Sequence, residues 1–172
     1  MSGRLSRRQF LKVSGATAVS VGAVTTGIKP AAAATGEVGR ATLPYKAQVI
    51  AHARQMKVNV PVPFNYPDAS SPCLLLKMGR PTLGGVGPHR DIVAYSTLCT
   101  HMGCPVNYEE ATGRFKCPCH FSMFDPEKGG QMISGQASED LPQIILHYNP
   151  SDDTVTATGV HGLIYGRQSN VL

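Results

Sequence analysis

The 172-residue chain has no internal repeat and no convincing long amphipathic helical pattern, which argues against a solenoid or a helix bundle. Beyond its first 34 residues it also has no apolar run that could span a bilayer. Even the apolar stretch Val13 to Ile28 is shorter than the ~20 residues a spanning helix needs, and Ser, Thr and Gly dilute it. Acidic residues are missing from residues 1–34 altogether, whereas five basic ones are there: Arg4, Arg7, Arg8, Lys12 and Lys29. Taking these five from the 16 basic residues leaves 11, against 11 acidic ones, so the formal +5 belongs wholly to this segment. The rest of the chain is formally neutral, and its basic pI is no argument for nucleic-acid binding. Docking to partners then depends on local patches and shape rather than on a strong overall field.

Ser6-Arg7-Arg8-Gln9-Phe10-Leu11-Lys12 has the form of a twin-arginine export signal, and the small-residue run Ala31 to Ala34 closes the apolar stretch behind it. A charged start, an apolar middle and a small-residue exit are the parts of a secretory signal. The twin arginine specifies the route that carries folded proteins. We expect cleavage at or near Ala34 and a periplasmic protein made of residues 35–172; membrane anchoring would follow only if the segment were retained.

Residues 35–172 suffice for one compact domain. They hold short β-type runs separated by Gly, Pro and Asn. Lys57 to Phe64 alternates, and its prolines suit an edge strand. Cys73 to Lys77 and Asp91 to Ser96 read as buried strands, and Gly113 to Lys116, Ile144 to Tyr148, Thr154 to Thr158 and Leu163 to Tyr165 as further ones. Asn149-Pro150-Ser151-Asp152-Asp153 is a hairpin turn by composition. Ala47 to Met56 could form a helix, but strand and turn is the preferred reading. The expected class is all-β, antiparallel and sandwich-like.

The chemistry is concentrated in two boxes, Cys99-Thr100-His101-Met102-Gly103-Cys104 and Cys117-Pro118-Cys119-His120-Phe121-Ser122. Each offers a Cys/His pair and one spare cysteine. A mononuclear site such as zinc could draw four ligands from these six residues in many ways, but it leaves two cysteines without a role. A binuclear site with two thiolates on one iron and two imidazoles on the other would take one Cys and one His from each box. A nucleophilic cysteine enzyme is a third reading, yet no isolated Cys with a separate base stands out.

The pair of boxes resembles the Rieske iron–sulfur proteins. That resemblance implies a Rieske-type [2Fe–2S] cluster with Cys99 and Cys117 as thiolate ligands and His101 and His120 as imidazole ligands. It also implies a disulfide between Cys104 and Cys119, which an oxidising compartment permits, and a cluster inserted before export of the folded protein. The likeness covers roughly Asp91 to Tyr165 and implies antiparallel sheets with a small cluster-binding subdomain at about residues 96–142. Ser122 stands where high-potential relatives carry a serine that donates to a bridging sulfide. Phe124 stands where quinol-oxidising relatives commonly carry a tyrosine that donates to a ligand sulfur; a phenyl ring cannot, so a lower potential is expected. Phe121 replaces the glycine usual after the second ligand histidine. The histidine edge should be the exposed side.

The runs Gly129 to Ala137 and Gly162 to Gln168, with the twin-arginine leader, resemble the small subunits of arsenite oxidases more closely. This likeness implies an electron relay from a molybdopterin-containing large subunit to a periplasmic cytochrome c or cupredoxin, with arsenite chemistry in the partner. A Rieske subunit of a quinol-oxidising cytochrome bc complex is the alternative, although the loop Gly135 to Pro142 lacks the proline-rich form typical there. Cys73, among apolar neighbours, reads as a buried free thiol. His52, His89, His147 and His161 show no partner pattern. Met102, Phe121 and Met123 could shield the cluster or contact a partner, but plain loop packing is the preferred role for each.

Overall fold

The computed structural model describes residues 45–167; the expected export signal and its cleavage point lie outside them. Among the described residues ten strands are joined by turns and two short 3₁₀ segments, Ala53–Gln55 and Pro126–Lys128. The strands are β1 Gln48–His52, β2 Val62–Asn65, β3 Pro72–Lys77, β4 Ile92–Ser96, β5 Asn107–Glu109, β6 Arg114–Lys116, β7 Met123–Asp125, β8 Gln131–Ser134, β9 Gln143–Asn149 and β10 Thr154–His161. A six-stranded sheet has the order β1-β10-β9-β4-β3-β2, and a four-stranded sheet runs β5-β6-β7-β8. All strand pairs are antiparallel. The protein is therefore all-β, and its smaller sheet lies in sequence between β4 and β9, which are neighbours in the larger one. Among the described residues no helix is long and apolar enough to cross a membrane.

Strand β4 explains why the two sheets hold together. Every residue of it is buried, and because side chains alternate across a strand, it feeds two cores. Ile92 and Ala94 pack with Leu75, Ile144, Val155 and Ala157 on one side. Val93 and Tyr95 pack on the other with Leu76, Phe115, Phe124 and Leu141, a core that also holds Cys99 and Cys117. The Tyr95 hydroxyl donates to the carbonyl of Pro126 at 2.7 Å and accepts from Gln143 Nε2 at 3.1 Å. Left without a partner, such a buried hydroxyl would cost about 1–3 kcal/mol.

Four sequence expectations meet the structure differently. Ala47 to Met56 is strand and turn, as preferred, and β2 is an edge strand containing Pro63. The alternating run becomes a strand only from Val62: before it Val58 makes one isolated parallel bridge to Lys77, with the Asn59 N–H donating to Lys77 O, and the positive φ of 62° at Asn59 turns the chain away. Leu163 to Tyr165 is not a strand. β10 ends at His161, Gly162 turns the chain at φ 90°, and Ile164 alone is buried while Leu163 and Tyr165 face outward. One inward residue between two outward ones mimics strand alternation. Arg167 then anchors the segment by an ion pair with Asp68 and a 2.7 Å hydrogen bond to Ser71 Oγ. Cys73 is a buried free thiol as expected, donating to Tyr66 O at 3.4 Å, and burial pushes it up to about 12.

Candidate metal centre

The two boxes form loops at one end of the smaller sheet, the first leading from β4 toward β5 and the second joining β6 to β7. They close by the same hydrogen-bond frame. The N–H of Cys99 donates to the carbonyl of Cys104 at 2.9 Å, and that of Gly103 returns to the carbonyl of Cys99 at 2.8 Å. In the second loop Cys117 N donates to Ser122 O at 2.8 Å and Phe121 N to Cys117 O at 3.1 Å. In each frame the fifth residue has a positive φ, 71° at Gly103 and 60° at Phe121.

This frame turns both cysteines inward. Cys99 and Cys117 are 1% and 2% exposed and carry free thiols. The two histidines stand outside them, their ring centroids 4.7 Å apart and their planes at 86°; His120 is exposed and His101 half-buried. A disulfide joins Cys104 to Cys119, so the loops are tied covalently as the resemblance implied. The sulfur of Cys117 lies within 4.8 Å of both disulfide sulfurs. That cluster of three sulfurs is not itself a ligand set, because two of them are spent on each other.

Do the remaining donors fit a metal cluster? Burial pushes the Cys99 thiol above its usual range, the Cys117 thiol beside it adds to the effect, and the N–H groups of His101 and Met102 oppose it. A thiolate in this setting needs a cation to sustain it. Nδ1 of His101 is buried without a hydrogen-bond partner, a state that a metal bond relieves. Two inward thiols, two adjacent imidazoles and an orphaned ring nitrogen fit a mixed thiolate–imidazole site.

Ser122 is fully buried, and its Oγ accepts from the N–H groups of Gln136 and Ala137 at 3.1 and 3.0 Å. With its oxygen occupied, its own hydrogen is available to another acceptor. Phe124 is fully buried in the core that includes Cys99 and Cys117. The sequence had not marked three supports. Thr100 Oγ1 donates to the carbonyl of Glu139 at 2.8 Å and so ties the loop Gly135 to Pro142 to the first box. A β-carbon on Gly135 would stand 2.3 Å from Ser122 Cα, so only glycine lets that loop reach the serine. The ring of Tyr165 covers Gly103.

Residues 46–145 match the family model described as the Rieske [2Fe–2S] domain. The chain belongs to the Rieske family. Its cofactor is accordingly a Rieske-type [2Fe–2S] cluster. This Rieske protein is 37% identical over 171 residues to the iodate reductase subunit IdrB of Denitromonas iodatirespirans, spanning 96% of the present chain and 86% of that one. It is 36% identical to the subunit of the same name from Pseudomonas sp. (strain SCT), over 96% and 84% of the two chains. Its likeness to the cytochrome bc1 complex Rieske iron–sulfur subunit of Streptomyces lividans is 48% but covers 62 residues, 36% of either chain. Among solved structures, the soluble domain of Rieske protein II (soxF) from Sulfolobus acidocaldarius shares the fold, with a TM-score of 0.64 at 23% identity over 73% of this chain and 83% of that one.

Proposed function

We propose that this chain is the electron-relay subunit of an exported oxidoreductase whose large subunit carries molybdopterin. Cys99 and Cys117 would hold one iron of its cluster and His101 and His120 the other. The observation that carries the reading is the division of the site into a buried thiol side and an imidazole side that reaches the surface at His120. A bound [2Fe–2S] cluster supplies one-electron chemistry, at a higher potential with imidazole ligands than with thiolates alone.

The protein's own residues do the rest. The buried cysteines keep water from the thiolate side. His120 brings the site's edge to the surface. Ser122 Oγ accepts from the N–H groups of Gln136 and Ala137, which leaves its hydroxyl hydrogen to donate to a bound cluster. The Cys104–Cys119 bond fixes the spacing of the loops. The twin-arginine segment directs the folded, loaded protein to the periplasm, with cleavage near Ala34, and a cytochrome c or cupredoxin is the final acceptor.

Arsenite oxidation by the large subunit is the reading we adopt from the runs Gly129 to Ala137 and Gly162 to Gln168. A second reading is favoured by the relatives named as iodate reductase subunits, which align over nearly the whole chain; electrons would then run toward the large subunit. The bc1-type likeness is confined to about a third of the chain and supports the site rather than the complex.

The test is to purify the C-terminally tagged chain with whatever accompanies it and assay iron, molybdenum, zinc and haem. Iron with molybdenum and no haem is expected, followed by anaerobic reduction of the cluster on adding arsenite, read by electron paramagnetic resonance. Arsenite without effect, with iodate reoxidising the reduced complex, would replace the first reading by the second. Haem without molybdenum would point to a cytochrome bc complex, and zinc without iron would end the electron-transfer proposal.

A further inference from the structure

The two ligand loops share one turn geometry, yet they treat its left-handed position in opposite ways. The first places Gly103 there; the second places Phe121, at φ 60°. A side chain with a β-carbon disfavours that region, which glycine enters freely. The Phe121 ring is also 78% exposed and belongs to neither core. The isolated chain thus accepts backbone strain and a wetted aromatic ring at one position, and gains no packing from either.

The surroundings show where a gain would come from. Phe121 follows His120, whose ring is exposed and sits 4.7 Å from that of His101. Met102, 58% exposed, flanks His101 on the other loop. No Asp, Glu, Lys or Arg occurs in Cys99 to Pro105 or in Cys117 to Met123. An aromatic and a methionine around a charge-free centre have the composition of the buried middle of a protein interface.

Absence of charge also selects the kind of partner. A diffusing electron carrier gains its on-rate from complementary charge around the contact; the two ligand loops themselves carry none, and the exposed acids Glu139 and Asp140 stand at the edge, on the loop that Thr100 bonds. A partner that stays bound needs no such steering and buries apolar surface. We infer that Phe121 is a docking anchor that enters an apolar socket on the large subunit, beside the large subunit's own redox group, and thereby holds the imidazole edge in electron-transfer contact. This inference rests on the proposed two-subunit function.

The experiment uses the tagged full chain co-expressed with its large subunit, as wild type, Phe121→Gly and Phe121→Leu, and also expressed without the large subunit. Glycine should leave iron content, the electron paramagnetic resonance spectrum and the midpoint potential unchanged, and the thermal unfolding temperature of the chain alone equal or higher. It should lower recovery of the large subunit at least tenfold, and leucine should restore most of it. A lower unfolding temperature or an altered spectrum in the glycine variant would make Phe121 a packing or cluster-supporting residue and overturn the inference. Unchanged recovery would overturn it too, and if delivery to a cytochrome c slowed at the same time, the socket would belong to the acceptor. A wild-type chain that retrieves no molybdenum subunit would reject the two-subunit reading itself, and the inference with it.

Discussion

The Tyr165 ring occupies the space that a side chain on Gly103 would need, its Cδ1 standing 2.4 Å from where a β-carbon would be. Gly103 is therefore required twice, for its φ of 71° and for this contact. Gly103→Ala should destabilise the protein by about 1–3 kcal/mol and lower cluster retention, measured by thermal unfolding and visible absorbance. Adding Tyr165→Ala should relieve the clash but not the backbone strain, so the double variant should recover only part of the loss. Full recovery would show that the φ value is immaterial.

Phe124→Tyr should raise the midpoint potential. The ring lies in the core that includes Cys99 and Cys117, so a new hydroxyl there must find an acceptor, and a ligand sulfur is the one that gains most in the reduced, more negative state. A net hydrogen bond of ~1 kcal/mol corresponds to about 40 mV for one electron. Protein-film voltammetry would read it, and an unchanged or lower potential would refute the assignment.

Removing the disulfide by Cys104→Ser with Cys119→Ser should lower stability by about 3 kcal/mol, the loop-closure value for a bridge of this span, given a sequence separation of 15. Urea unfolding of the loaded protein checks it. The two loops should also release iron faster to a chelator, since only the cluster would then join them.

Acid should loosen the C-terminal segment before it affects the sheets. The Ser70 hydroxyl first, and Arg167 beside it, hold Asp68 down to about 2 from 3.8. A lowered carboxylate pKa contributes stability that is complete above the unfolded value and is lost as pH falls toward the folded one. Release is therefore expected between about pH 4 and pH 2. Hydrogen exchange at Arg167, whose N–H donates to Ile164 O, should accelerate through that window. Asp68→Asn should show the fast rate already at neutral pH; protection in that variant would mean that the ion pair is not the tether.

What could be read from the chain was whatever sits close together along it. The two boxes carry their ligand types in adjacent positions, and the buried strands β3 and β4 are continuous apolar runs. The supports of the site were hidden because they join distant residues: Gly135 to Ser122, Thr100 to Glu139, Tyr165 to Gly103. Glycine at 135 and at 103 is a visible letter in the sequence, but what would collide with a side chain there depends on the fold. The false strand at Leu163 to Tyr165 has the same origin. Its alternation is real, and only the tertiary contact of Ile164 tells an anchored coil from a strand.

Strands β4 and β9 are hydrogen-bonded neighbours, and everything between them in sequence, both ligand loops included, leaves and re-enters the larger sheet at one place. The redox piece is thus a cassette hung from two adjacent threads, whose ends are already closed by the scaffold. Such a piece can in principle be exchanged between relatives without rethreading the rest. Its inner wall, however, is borrowed: Leu76, Met78, Val93 and Tyr95 come from the scaffold. A graft that carried the loops alone would leave Phe115 and Phe124 facing water, so the portable unit is the cassette together with those four side chains.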